Sequence, residues 1–242
     1  MSETSRLLDY KELYGVARWL VEEVGMNDTV PVDIEALCYS WQIRLVPVAS
    51  RAKTSTDGQQ IFYDSRLPAW RRRSDIAHEL AHLAISWNGL PDDEESVGHV
   101  AAAILCPDRP FKRDLAASRW DLAKLQPIYG CSWELTARRV VDVVPSIVTI
   151  IDNGRQTRRE QSRWLNTFFG HRMTPLERSI ATLAAQSGEH VYAENLITAY
   201  ALPNPEGTWM RVIVLCGAEE LEAYLASRNH PRSEPPQSHS GG

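Results

Sequence analysis

Between Ala69 and Trp87 the chain runs without a glycine or proline, and inside that run lies His78-Glu79-Leu80-Ala81-His82. A run of this length forms about five helical turns. Asn88-Gly89 stops it, and Pro91 prevents continuation. Residues four apart share a helical face, so His78 and His82 present two imidazoles to one point. Glu79 is angled away from that point yet can reach a water held there. Chance copies of such a string fall mostly on solvated helices with polar neighbours. Here Ile76, Ala77, Leu80, Ala81, Leu83, Ala84 and Ile85 surround it, the pattern of a buried helix. Burying two histidines and a glutamate without a partner costs several kcal/mol. A bound metal ion removes that cost, and a hydrogen-bonded core network is the alternative.

A catalytic zinc takes three protein ligands and keeps one position open for water. It lowers the pKa of that water towards ~7, and a glutamate takes the proton and passes it to a leaving amine. The metzincin pattern needs a glycine and a third histidine soon after the second one. This chain continues Leu83-Ala84-Ile85-Ser86-Trp87-Asn88, which excludes that class. The third ligand is therefore sought in the next helix, which begins near Asp92 and ends before Pro107. Asp92 and Glu95 read as a variant capping box. Glu94 falls on the inward stripe of Val97 and Ala101 and is the best ligand candidate. Glu95 belongs with the cap, and His99 lies off the stripe, expected at the surface or behind the ligands.

The 242 residues amount to roughly one and a half ordinary domains. Net charge is 26 − 31 = −5, which argues against a dedicated nucleic-acid binder. Cys38, Cys106, Cys131 and Cys216 are far apart in sequence and form neither a zinc ribbon nor a disulfide framework. They are expected as reduced thiols. The charged N-terminus lacks the apolar core of a secretory signal, and no run approaches the ~18 apolar residues of a membrane span. A soluble, cytoplasmic protein with no membrane partner is expected.

Apolar spacing predicts helices over about 10–24, 32–41 and several more to about Val144. Ile43–Val48 and Ile61–Tyr63 read as strands joined through Asp57-Gly58, a hairpin or small sheet. After Pro145 the β-branched run Ser146–Ile151 leads into the turn Asp152-Asn153-Gly154 and the charged stretch Arg155–Arg163. A helix over His171–Gln186, strands over His190–Tyr200 and Trp209–Cys216 and a helix over Ala218–Arg228 follow. The Pro/Ser/Gly-rich tail is expected to be disordered.

Ile76-Ala77-His78-Glu79-Leu80-Ala81-His82-Leu83, with Glu94, Val97, Val100, Ala101, Ile104, Leu105 and Pro107 behind it, resembles the ImmA/IrrE metallopeptidases. Tyr129-Gly130-Cys131-Ser132 and Ala137-Arg138-Arg139-Val140 are similar to a further segment of that family. The resemblance covers roughly residues 10–145. Ala81, Val97, Val100 and Cys106 depart from its pattern as packing changes, and none is a proposed ligand. The resemblance implies an α+β fold, a mostly helical zincin-like metallopeptidase core with a small β-sheet. It also implies His78, His82 and Glu94 as zinc ligands, Glu79 as general base, and a helix-turn-helix repressor as the protein cleaved. Domain expectations are a peptidase over 1–150, a small α+β unit over 151–228 and a tail over 229–242. Tyr63, Tyr129, His99 and His171 are candidate oxyanion donors, none singled out.

Two further features carry rival readings. Leu122–Val144 has the outline of a helix-turn-helix, with Gly130 at the turn and Arg138 and Arg139 on the second helix. That would make the chain a transcription regulator, although its acidic balance favours two helices packed on the core. Trp70-Arg71-Arg72-Arg73 is a basic cluster best read as a solvated helix face. A catalytically silent, metal-binding interaction module is the remaining alternative.

Overall fold

The computed structural model describes residues 10–50, 53–54, 57–163, 165, 170–193, 197–203 and 208–217. Two compact units divide at Val144/Pro145, ahead of the boundary expected at residue 150. The strand that follows Pro145 belongs wholly to the second unit. The expected helix over 218–228 and the tail over 229–242 lie outside the described residues. The fold is α+β, and no described helix is long and apolar enough to cross a membrane.

The first unit opens with α1 (Tyr10–Glu22) and α2 (Ile34–Ser40). Leu13, Val16, Ala17, Leu20 and Val21 recur at helical spacing on α1, and all are buried. Asp33 caps α2, its carboxylate accepting from the backbone N–H of Glu35 and Ala36 at 3.1 and 2.9 Å. Strands β1 (Arg44–Val48), β2 (Lys53–Thr54) and β3 (Gln60–Asp64) form one sheet with β3 in the middle. The pairing differs from a hairpin of the two longer strands. β1 runs parallel to β3 with Leu45 opposite Ile61, and β2 takes the antiparallel place on the other edge. The turn at Asp57-Gly58 therefore joins β2 to β3, with Gly58 at φ +69°.

Helix α3 spans Ala69–Trp87. Its C-terminus is closed as expected: Asn88 N–H donates to Ala84 O, and Leu90 N–H to Ile85 O, around a left-handed Gly89. Helix α4 spans Glu94–Leu105 and packs against α3 and α1. Its cap is Asp93, which accepts from Glu95 N–H and Ser96 N–H and also binds Ser96 Oγ at 2.7 Å. The expected Asp92–Glu95 box is thus shifted by one residue. Two adjacent aspartates can each cap, and Asp92 is engaged elsewhere.

Helices α5 (Asp108–Ser118), α6 (Leu122–Tyr129) and α7 (Trp133–Val143) complete the unit. Gly130 is left-handed at the α6–α7 turn, and Ser132 Oγ caps α7. Arg139 of α7 is wholly buried. Its Nε donates to Cys106 O at 2.9 Å, and its other nitrogens pair with Asp108 and Asp142. Asp142 in turn lies 3.0 Å from His99 Nδ1. His99 is therefore turned away from the surface, and it links α4 to α7 through Asp142.

The second unit is an antiparallel sheet, β5-β4-β8-β7-β6, with α8 (Pro175–Ser187) packed on one face. Its strands are β4 (Ser146–Asp152), β5 (Arg155–Gln161), β6 (Val191–Ala193), β7 (Ile197–Pro203) and β8 (Met210–Gly217). The charged stretch after Gly154 is a strand, β5. Among the described residues it pairs with β4 alone, and an edge position tolerates its charges. Arg159 on β5 forms a two-pronged pair with the buried Glu177 of α8 at 2.6 and 3.1 Å.

Candidate metal centre

The first unit has a cleft of about 840 Å³ lined by α3, α4, α7 and the β3–α3 connection. Ile76, Ala77, Leu80, Ala81, Leu83, Ala84 and Ile85 anchor α3 in the core. That leaves His78, Glu79 and His82 half-buried along the cleft. The three polar side chains are not interior groups, as the apolar surround suggested. They sit where a buried helix surfaces into an open cavity, so solvent can reach them.

The two rings are 4.9 Å apart between centroids and nearly perpendicular, 82°. Their Nε2 atoms converge on one carboxylate. His78 Nε2 is 3.4 Å from Glu94 Oε2, and His82 Nε2 is 3.9 Å from Glu94 Oε1. One donor atom from each of the three residues lies within 4.8 Å of the others. A tetrahedral ion with bonds of about 2.0–2.1 Å holds its donors about 3.3 Å apart. The observed cluster is slightly wider, so a small contraction about an ion brings it to that spacing. Two neutral imidazoles with one carboxylate are a donor set suited to zinc and related transition ions.

Glu94 reaches this point by a different route from the one its spacing suggested. It is the first residue of α4, and its side chain is 81% exposed rather than turned inward with Val97 and Ala101. Its carboxylate leans back over the cleft from the helix N-terminus, where a negative charge is favoured.

Asp92 is the site residue that sequence reasoning assigned elsewhere. Its Oδ1 lies 2.6 Å from His82 Nδ1. An ionised carboxylate can only accept, so in the neutral ring Nδ1 carries the hydrogen and Nε2 keeps its lone pair.

The far wall of the cleft is formed by Ser132, Glu134, Leu135 and Arg138 at the start of α7. Burial of Thr136, Ala137, Arg139 and Val140 sets the rotation of α7 and turns Glu134, Leu135 and Arg138 into the cleft. The Arg138 guanidinium lies against α4 at Gly98, where a Cβ would be in ordinary contact at 3.5 Å from its nitrogen. Of the four candidate oxyanion donors, none lines the cleft among the described residues. Tyr129 is buried with its hydroxyl donating to Asp114, and burial pushes its phenol far above the usual value. The arginines 71–73 do not form one patch either. Arg71 pairs with Asp75, Arg72 donates to Leu67 O and Arg73 to Tyr129 O. Burial of Arg139 removes it from any outward, groove-reading role, which leaves the outline of a helix-turn-helix without one of its two arginines.

The four cysteines are free and buried. Cys106 and Cys131 are brought to an Sγ–Sγ distance of 3.8 Å, a proximity their sequence separation did not suggest.

Comparison with known proteins agrees with this architecture. Residues 42–141 match the family model Peptidase_M78, described as the IrrE N-terminal-like domain. That segment carries α3, α4 and all three converging donors, and the resemblance drawn from the two helices is shown over it. No curated protein matches the chain. Among solved structures, a Mycobacterium tuberculosis transcriptional regulator is similar with a TM-score of 0.64 at 16% identity. The match covers 91% of this chain and 80% of that one, a likeness of fold.

Proposed function

We propose that the chain is a zinc-dependent endopeptidase of narrow specificity that cleaves a helix-turn-helix repressor and so regulates transcription. The observation that carries this is the convergence of His78 Nε2, His82 Nε2 and the Glu94 carboxylate in an open cleft, with Glu79 beside them. His78, His82 and Glu94 are the residues that would hold the ion. A bound divalent zinc supplies Lewis acidity, polarising a peptide carbonyl and acidifying water. Glu79 acts as the general base: its carboxylate takes a proton from the attacking water and returns it to the departing amide nitrogen. Arg138 and Ser132 on the α7 wall line the same cleft and offer polar groups to a bound chain. The family match over residues 42–141 and the solved relative described as a transcriptional regulator support the peptidase and regulatory parts of this reading.

The acidic balance of the chain supports control of DNA through a protein partner rather than direct contact. The test is incubation of the zinc-loaded chain with candidate helix-turn-helix repressors, with products read by mass spectrometry. Cleavage by the wild type, lost in Glu79→Gln at unchanged zinc content, is the expected result. Equal cleavage by both proteins removes Glu79 as base. Zinc binding without any cleavage favours a silent metal-binding module.

A further inference from the structure

We infer that Asp92 is the positioning residue for His82, holding its ring in the tautomer and orientation that direct Nε2 at the metal point; this rests on the metal site proposed above. The local chain path makes the contact. Left-handed Gly89 and the Leu90 N–H to Ile85 O bond fold the chain back along the end of α3. Asp93 takes over the capping of α4, which leaves the Asp92 carboxylate free to meet His82 Nδ1 at 2.6 Å.

That distance is short even for a charge-assisted bond. The pair is too exposed to matter much for folding: His82 is 25% and Asp92 48% accessible. Its consequence lies in the ring. With the hydrogen fixed on Nδ1, Nε2 is a lone-pair donor facing the same space as His78 Nε2 and Glu94. A carboxylate on the far nitrogen is the arrangement by which metal-bound histidines are usually oriented. Asp92 touches neither substrate nor the reacting atoms, so its effect passes entirely through His82.

The test measures metal affinity and needs no substrate. Zinc binding by the full chain is read by competition with a chromophoric chelator, and cobalt substitution reports coordination by its visible spectrum. Asp92→Ala is expected to weaken zinc binding by about 10- to 100-fold. Asp92→Asn, which still accepts from Nδ1–H but carries no charge, should lose less. The metal-free melting temperature should stay at the wild-type value in both, because the α4 cap is Asp93. Wild-type zinc affinity in Asp92→Ala, with loss in His82→Ala, would overturn the role of Asp92 and leave the site intact. Wild-type affinity in His82→Ala would remove the site, and the role of Asp92 with it. A drop in metal-free melting temperature matching the affinity loss would make Asp92 merely structural, and would equally overturn the inference.

Discussion

Replacing Arg139 by methionine should cost the first unit about 4 kcal/mol. The guanidinium is wholly buried, and Asp142 beside it is 5% accessible. Burial alone would push the Asp142 carboxyl up, but the hydrogen bond from His99 and the charge of Arg139 hold it below the usual carboxylate value. Methionine keeps the apolar stem and removes the charge. Asp142 then keeps His99 at 3.0 Å but loses its buried countercharge. Orphaning one partner of a buried pair costs about 3–5 kcal/mol, and the surviving His99 bond places the loss at the low end. The Cys106 carbonyl also loses its 2.9 Å donor, a further contribution of about 1 kcal/mol. Asp108 is 49% accessible and can recover water, so it adds little. Urea unfolding followed by tryptophan fluorescence measures the change, with Asp142→Asn and the double variant completing a cycle. The double variant should be more stable than the sum of the single losses, because it leaves no orphaned charge. A loss below about 1 kcal/mol, or additivity of the two substitutions, would refute the view that Arg139 and Asp142 act as a coupled buried pair.

Three further outcomes follow from the same structure. The depressed Asp142 carboxyl contributes stability that is present above its unfolded value near ~3.9 and lost as pH falls through the folded value. Asp142→Asn should therefore flatten the acid limb of a stability–pH curve; an unchanged slope contradicts this. All four thiols should resist a chromogenic disulfide reagent in the native chain and react in urea, since all are buried and burial pushes Cys38 up to about 12. Thr174→Ala should cost the second unit about 1 kcal/mol in urea, because Thr174 Oγ1 and Glu177 form a reciprocal cap on α8. A neutral result there would mean that the Arg159–Glu177 pair alone holds the helix start.

The part of the site lying on one helix was legible because its signals are local. The run from Ala69, the stop at Asn88-Gly89 and the four-residue step from His78 to His82 all act within a few turns. Glu94 was found through its place before Val97 and Ala101, yet it reaches the histidines from an exposed helix start rather than from an inward stripe. Asp92 was hidden by chemistry it shares with Asp93. Either could cap α4, and only the fold-back after Gly89 decides which one meets His82. The same limit applies to the sheets. β1 and β3 carry ordinary strand residues whose parallel pairing is not marked locally, with β2 taking the far edge of β3, and β5 is too charged to show a buried alternation. Arg139 and Arg138 are neighbours in sequence with opposite fates, and the packing of α7 separates them.

The most direct measurement of the central claim is zinc content after equilibration in a zinc-buffered solution. Elemental analysis would compare the wild type, Glu94→Ala and the double variant His78→Ala/His82→Ala. The account predicts one zinc per chain in the wild type, a reduced content in Glu94→Ala and none above background in the double variant, with all three folded by circular dichroism. Equal zinc in the wild type and the double variant would contradict it.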